Sequence, residues 1–276
     1  MTWGSWGKQL STNEMSTLIN HCVELGLTTF DHADIYGNYE NETAFGKAFS
    51  DSGIARENIQ LISKCGIQMT QGRNNHVKHY QYDADYIVWS AEQSLKKLQT
   101  DYLDLFLLHR PSPLLDPKEV AKAIQKLKQS GKIRQFGVSN FNPSQIAVLE
   151  KYVAVEGNQV EYSLTHTHSM EDGTFDDCMA NHRMAMAWSP LGSFFRTKDD
   201  RQKRIAEVLP KFCDKYNADE SQILLAFILK HPVQVHPVVG TTNIERLKAL
   251  VAATKLNLAL DDWFILLEAA KGCEVP

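Results

Sequence analysis

Short apolar runs alternate with amphipathic segments along the whole chain. The runs cover residues 28–33, 59–64, 102–109, 134–139, 158–162, 184–189 and 235–240. Each is short and largely continuous, the pattern of a strand buried on both faces. Segments of helical spacing separate them. Residues 85–98 and 117–130 are the clearest. In the second, Val120, Ala123, Ile124 and Leu127 fall on one helical face and Gly131 supplies a stop. Asn142-Pro143 reads as an N-cap followed by proline at the first helical position. The pattern gives seven strands, most followed by a helix, and residues 2–6 are expected to supply an eighth. A βα repeat of this number predicts an α/β fold, a closed (β/α)8 TIM barrel.

The length of 276 residues suits one such barrel, and no linker or low-complexity tract divides it. Residues 1–276 are therefore expected to form a single domain. The longest irregular stretch, 68–83, follows the run at 59–64; a loop of this length in a compact domain is usually functional or mobile. No Gly-x-Gly-x-x-Gly follows any strand, so the dinucleotide fingerprint of open α/β sheets is missing.

Composition narrows the class. Charged residues make up 22% and the net charge is −4, with both signs interspersed, which argues against nucleic acid as a partner. No apolar run reaches the roughly 18 residues of a membrane span, and MTWGSWGKQL lacks the basic and apolar regions of a signal peptide. The five cysteines are scattered, odd in number and without a Cys-x-x-Cys pair. A reducing, cytoplasmic location is expected, and none of the thiols reads as a nucleophile.

Barrel enzymes carry their chemistry at the C-terminal ends of the strands. The polar residues there are Asp31 and, in the following loop, Tyr36; then Lys64, His109, Ser139, Asn140, Gln159, Glu161, Trp188 and Ser189. Singly, each is an ordinary structural residue. Asp31, Tyr36, Lys64 and His109 together suggest a proton donor. A phenol has a pKa of about 10 in water, and a neighbouring ammonium favours the phenolate. An aspartate would hold that ammonium in place, and a histidine could orient a carbonyl oxygen toward the phenol. Such a group suits protonation of an oxygen as hydride reaches its carbon, with no metal. His166 and His168 offer a weak metal-binding pattern, for which no third ligand is evident.

These residues lie in FDHADIYG (30–37), LISKCG (61–66), LFLLHRP (105–111), FGVSNFNP (136–143), NQVEYS (158–163), AWSPLGS (187–193) and VVGTTNIERL (238–247). With these segments in this order, the chain resembles the aldo-keto reductase family over nearly its whole length, and especially the bacterial YdhF-type oxidoreductases. The resemblance implies an enzyme that reduces aldehydes or ketones to alcohols by hydride transfer from NADPH. Tyr36 would be the proton donor, Lys64 and Asp31 its tuners, and His109 the residue that orients the substrate. Ser139, Asn140 and Gln159 match the residues that hold the carboxamide. Trp188 takes the place of an aromatic stacked on the nicotinamide. Ser5 and Trp6 match the nicotinamide end, and Ser189, Leu191 and Ser193 the pyrophosphate loop. Gly240, Thr241, Thr242 and Arg246 match the segment at the adenosine phosphate.

The sequence also departs from the family pattern. Gly240 stands where many members carry lysine, and Ala249 and Leu250 where relatives have Glu and Asn. NADPH is expected in preference to NADH, with backbone N–H groups and Thr241 binding more of the phosphate. TWGSW reads as strand one itself, so the family's usual N-terminal hairpin is expected to be missing. Trp6, His32, Tyr36, Cys65, His79, Tyr80, His109, Arg110, Phe194 and Phe195 are candidates for the pocket wall. Arg110 reads equally as an anion contact or a surface charge. The partner expected is a small-molecule carbonyl compound. The alternative is a cofactor-binding redox sensor or regulatory subunit with little turnover.

Overall fold

The computed structural model describes residues 3–276. The chain divides into two compact units, Met1–Asn158 and Gln159–Pro276.

The first unit starts with turns. Residues 3–8 hydrogen-bond locally, with the Gly7 and Gln9 N–H groups donating to the Gly4 carbonyl at 2.9 and 3.1 Å. The strand expected at 2–6 is therefore corrected to a turn over its described part; Thr2 lies outside the described residues. Gly4 also packs against Asn41 so closely that a Cβ would sit 1.9 Å from the amide oxygen. Helix α1 (Thr12–Glu24) follows, started by a reciprocal capping box between Ser11 and Glu14. It buries Met15, Leu18, Ile19 and Cys22 on one face.

Strand β1 (Thr29–Asp31) leads to α2 (Asn41–Ser52), then β2 (Gln60–Cys65). Two short antiparallel strands, β3 (Ile67–Gln68) and β4 (His79–Tyr80), bracket the long loop. Helix α3 (Ala84–Leu98), β5 (Leu103–Leu108), α4 (Pro117–Gln129), β6 (Ile133–Ser139) and α5 (Pro143–Leu149) complete the alternation. Strands β1, β2, β5 and β6 pair in that order, all parallel. Asp31 pairs with Ile62, Lys64 with Leu107 and Leu108 with Val138. This register brings the C-terminal ends of the four strands to one edge. Gly46 lets α2 meet the end of α3, since a Cβ there would lie 2.1 Å from the Lys97 carbonyl oxygen.

Strand β7 (Gly157–Glu161) spans the boundary in sequence. The second unit continues with α6 (Thr174–Ala180), β8 (Met184–Trp188), α7 (Asp200–Tyr216), α8 (Glu220–Leu229), β9 (His236–Val238), α9 (Ile244–Ala253) and α10 (Leu260–Lys271). Strands β8 and β9 are parallel. The core gathers Tyr162, Phe175, Phe212 and the buried face of α8. Phe227 stacks on Trp263 with centroids 4.7 Å apart, and the indole N–H donates to the Phe227 carbonyl. All seven strands expected from the apolar runs form: those at 28–33, 102–109, 184–189 and 235–240 are shorter by one to three residues, those at 59–64 and 158–162 are shifted by one, and that at 134–139 gains one. No helix among the described residues is long and apolar enough to cross a membrane.

Candidate active site

Lys64 projects from β2 and is fully buried. Its ammonium donates to both Asp31 carboxylate oxygens at 2.7 Å, to the His32 carbonyl at 2.8 Å and to Tyr36 Oη at 3.4 Å. A buried cation is tolerated only with such compensation. Burial works against the charge, but Asp31 and Tyr36 outweigh it and hold the lysine pKa above its ordinary value. Lys64 is therefore an ammonium at neutral pH.

Tyr36 enters from the loop after β1. That loop turns sharply, with Gly37, Asn38 and Tyr39 all at positive φ (60°, 56° and 72°). Gly37 is required there, because a Cβ would lie 2.0 Å from the Asn41 amide oxygen. Burial raises the Tyr36 phenol above its ordinary range; Lys64 opposes the rise and Asp31 adds to it. The expected lowering by Lys64 is present, but burial exceeds it. The phenol is consequently protonated at neutral pH, as a proton donor must be.

His109 follows β5 and meets the Tyr36 ring edge-on, centroids 5.9 Å apart at 79°. Its Nδ1 is buried without a hydrogen-bond partner. Burial first, then the positive charges of Lys64, Arg110 and Lys78, hold its pKa well below the ordinary value. A neutral imidazole donates one N–H to an incoming oxygen and does not compete with Tyr36 as the acid. The structure thus brings Asp31, Tyr36, Lys64 and His109 together at one strand edge, with a protonated phenol beside a fixed cation and a neutral histidine.

The other candidates are divided between the two units. Trp6 is partly exposed, its ring 6.3 Å from that of Tyr36, and Ser5 borders Gly37. At the end of β6, Asn140 adopts positive φ (63°) and its amide donates to Ser139 Oγ at 2.8 Å and to the His109 carbonyl at 3.4 Å. In the second unit, Gln159 is buried on β7 and its amide contacts Met186 Sδ at 3.9 Å. Trp188 and Ser189 end β8, half-buried, followed by Leu191 and Ser193. The Ser193 N–H donates to Thr165 Oγ1 at 2.9 Å, a partner that no sequence motif marked. Gly240, Thr241 and Thr242 lead into α9, and Arg246 is exposed in its first turn. Asn243 caps α9 by accepting the Arg246 backbone N–H at 3.0 Å, so that amide is spent on the helix itself.

The pocket candidates differ in how far they are open to solvent. Cys65 is fully enclosed, and burial pushes its thiol far up, away from reactivity. Phe194 is buried. His32 lies edge-on against Phe45 at 4.3 Å and contributes its carbonyl to Lys64. His79, Tyr80 and Phe195 are exposed. His166 lies 3.9 Å from Glu161 and His168 lies 3.3 Å from Asp172; among the described residues no group of three ligands gathers for a metal.

The sequence reading missed a buried polar layer beside the tetrad. Asp34 Oδ2 accepts from Tyr86 Oη at 3.2 Å and Ser90 Oγ at 3.3 Å, while Oδ1 has no partner. Glu42, also buried, accepts from Ser63 Oγ at 2.6 Å. Arg73, from the long loop, donates to Gln68 and stands over the Tyr39 ring at 4.3 Å, tying the loop to the unit. Burial, with the Glu42 charge adding, pushes Asp34 from 3.8 up to about 7. The folded pKa lies above the unfolded one. Stability from this group is therefore full below about pH 4 and is lost as pH rises toward 7. Asp34→Asn is expected to flatten that loss and to raise the melting temperature at pH 8 by on the order of 5 °C. Thermal melts at pH 4.5 and pH 8 check it; equal shifts at both would remove Asp34 as the titrating group.

Known proteins agree with this architecture. The model of the Aldo/keto reductase family matches residues 1–270. The oxidoreductase YdhF of Escherichia coli is 42% identical, over 99% of this chain and 93% of its own length. The uncharacterized oxidoreductase YcsN of Bacillus subtilis is 40% identical, over 96% and 91%. The crystal structure of the thermostable aldo-keto reductase Tm1743, in complex with the inhibitor epalrestat, superposes with a TM-score of 0.82 at 27% identity, over 97% of this chain and 93% of that one. The chain belongs to the aldo/keto reductase family and is an NAD(P)H-dependent oxidoreductase built on its (β/α)8 barrel.

Proposed function

We propose that this protein reduces aldehydes or ketones to alcohols in the cytoplasm, using NADPH, with residues 1–276 as one catalytic domain. The observation that carries the reading is the ammonium of Lys64 held between Asp31 and the Tyr36 phenol. Tyr36 gives its proton to the carbonyl oxygen, and Lys64 stabilises the phenolate left behind. His109, neutral, donates a hydrogen bond that fixes the oxygen beside the phenol.

The chemistry of the remaining residues suits a nicotinamide dinucleotide. Ser139, Asn140 and Gln159 offer donors and acceptors to a carboxamide. Trp188 and Trp6 offer flat faces, and Ser5 a hydroxyl, for the nicotinamide end. Ser189, Leu191 and Ser193 fit the pyrophosphate loop. Gly240, Thr241, Thr242 and Arg246 fit the adenosine phosphate, where Arg246 gives a charge-assisted contact to a 2′-phosphate. When bound, the reduced nicotinamide supplies the hydride; the chain supplies the proton and the alignment.

The test is oxidation of NADPH and of NADH with 4-nitrobenzaldehyde, followed by absorbance, for the wild type and Arg246→Ala. Wild type is expected to turn over many times. Arg246→Ala is expected to raise the Michaelis constant for NADPH about tenfold or more and that for NADH little. Tight NADPH binding without repeated turnover would instead favour the sensor role. An unchanged Michaelis constant for NADPH would remove Arg246 from the phosphate.

A further inference from the structure

The imidazole of His109 is held less directly than the groups it faces. Lys64 donates to both Asp31 oxygens, the His32 carbonyl and Tyr36, whereas His109 Nδ1 is buried without a partner among the described residues. The direction of its ring therefore depends on packing and on the backbone that carries it. That backbone lies just past the end of β5. The His109 N–H still donates to the Cys65 carbonyl at 2.9 Å, continuing the pairing of β2 with β5. At the next residue the neighbouring strand has ended. Gly66, at φ 115°, follows β2, and the chain enters the β3–β4 hairpin.

A side chain takes over from the strand there. Tyr82 Oη accepts the Arg110 N–H at 3.2 Å and donates to the Arg110 carbonyl at 2.6 Å. The first bond holds the peptide that joins His109 to Arg110. The carbonyl of that same peptide accepts from the Asn140 amide at 3.4 Å. The second bond holds the peptide that joins Arg110 to Pro111, a proline that disfavours helical backbone before it. Tyr82 is itself closely seated. It is buried, and a Cβ on Gly66 would lie 2.1 Å from its ring and 2.3 Å from its hydroxyl oxygen. The Gly66 carbonyl accepts the Gln81 N–H at 2.9 Å, so the return leg of the hairpin delivers the tyrosine to this spot. Burial raises the phenol well above its ordinary pKa, so it keeps the proton it needs to donate and accept at once.

We propose that Tyr82 is a positioning residue for carbonyl reduction: its hydroxyl clamps the two peptides that follow His109 and so fixes the imidazole edge-on to Tyr36, where it orients the carbonyl oxygen. The inference rests on the reductase reading and deepens it. A group that aims a hydrogen bond at a reacting oxygen has to be held to within roughly 0.5 Å, and a displacement of about 1 Å costs as much as 10²-fold in rate. The clamp supplies that restraint from the backbone side, since the ring lacks it at Nδ1. It also gives the long stretch after β2 a task, because Tyr82 stands at its end.

The test is Tyr82→Phe, alone and combined with His109→Ala, assayed with 4-nitrobenzaldehyde and NADPH. A phenylalanine ring still fills the space over Gly66, so the change removes the two hydrogen bonds and little else. In Tyr82→Phe, kcat/KM for the aldehyde is expected to fall about tenfold, with the Michaelis constant for NADPH unchanged. The melting temperature should fall by on the order of 5 °C, because two backbone groups lose their partner. In the His109→Ala background the same substitution should cost as much in melting temperature but less than about twofold in rate, since residues that act through one another are not additive. An unchanged kcat/KM in Tyr82→Phe, or an equal loss of rate in both backgrounds, overturns the inference. The imidazole is also read without turnover, from the NMR signal of its ring in protein carrying isotope-labelled histidine, identified by its loss in His109→Ala. Tyr82→Phe should shift and broaden that signal, and an unmoved signal overturns the inference. Where His109→Ala is too slow to assay, the signal decides. If the wild type reduces no aldehyde, the reductase reading fails on its own and the signal still tests the clamp.

Discussion

Tyr36→Phe is expected to lower kcat for carbonyl reduction by about 10²- to 10⁴-fold while leaving NADPH affinity and melting temperature near those of the wild type. The substitution removes one oxygen. The ring keeps its edge-on packing with His109, and Lys64 keeps its bonds to Asp31 and to the His32 carbonyl. The hydrogen bond lost is the longest of the four that Lys64 makes, at 3.4 Å. Little stability therefore goes with it. The proton donor does go, and neutral His109 is too weak an acid to give up its one N–H proton in its place. The same raised phenol sets the pH dependence. Reduction by the wild type should be flat through neutrality and should fall only in the alkaline range, as Tyr36 ionises. A variant retaining a tenth or more of wild-type kcat would take Tyr36 out of this role.

How much of this was legible in the sequence depended on the physical signal each part leaves. The strands at 59–64 and 102–109 were readable because parallel strands buried on both faces need unbroken apolar runs. The tetrad was readable because parallel register forces the strand ends to one edge, so Asp31, Lys64 and His109 could be placed without side-chain detail. The turn at 3–8 was misread as a strand. Its tryptophans resemble strand residues, whereas Gly4 and Gly7 serve a tight turn packed on Asn41. The Asp34 layer left no signal, since a buried carboxyl is distinguished from a surface one only by what packs on it. Tyr82 was hidden for a related reason: its partner is the backbone of Arg110, and a backbone has no sequence signature. The balance at Tyr36 was also beyond the sequence. Proximity to lysine could be inferred, but the depth of burial that outweighs it could not.

Lys64→Met should separate the structural role of the buried ion pair from its chemical one. Removing the ammonium leaves the Asp31 carboxylate, only 12% exposed, without the cation that compensates it. Breaking a buried pair from one side costs about 3–5 kcal/mol, so the melting temperature should drop by on the order of 10 °C. Activity should fall by at least about 10²-fold, because the Tyr36 phenolate then lacks the cation that contacts it as the proton leaves. The double variant Lys64→Met with Asp31→Asn is the informative one. Replacing both charges by neutral groups of similar size is often nearly neutral for stability. Most of the lost melting temperature should therefore return, with none of the lost rate. Recovery of both would mean that the pair merely holds the strand ends in place and that the phenol needs no cation. Recovery of neither would mean that the hydrogen bond from Lys64 to the His32 carbonyl, which the double variant also lacks, carries the local structure. Only stability without rate fits a lysine that acts on the proton donor itself.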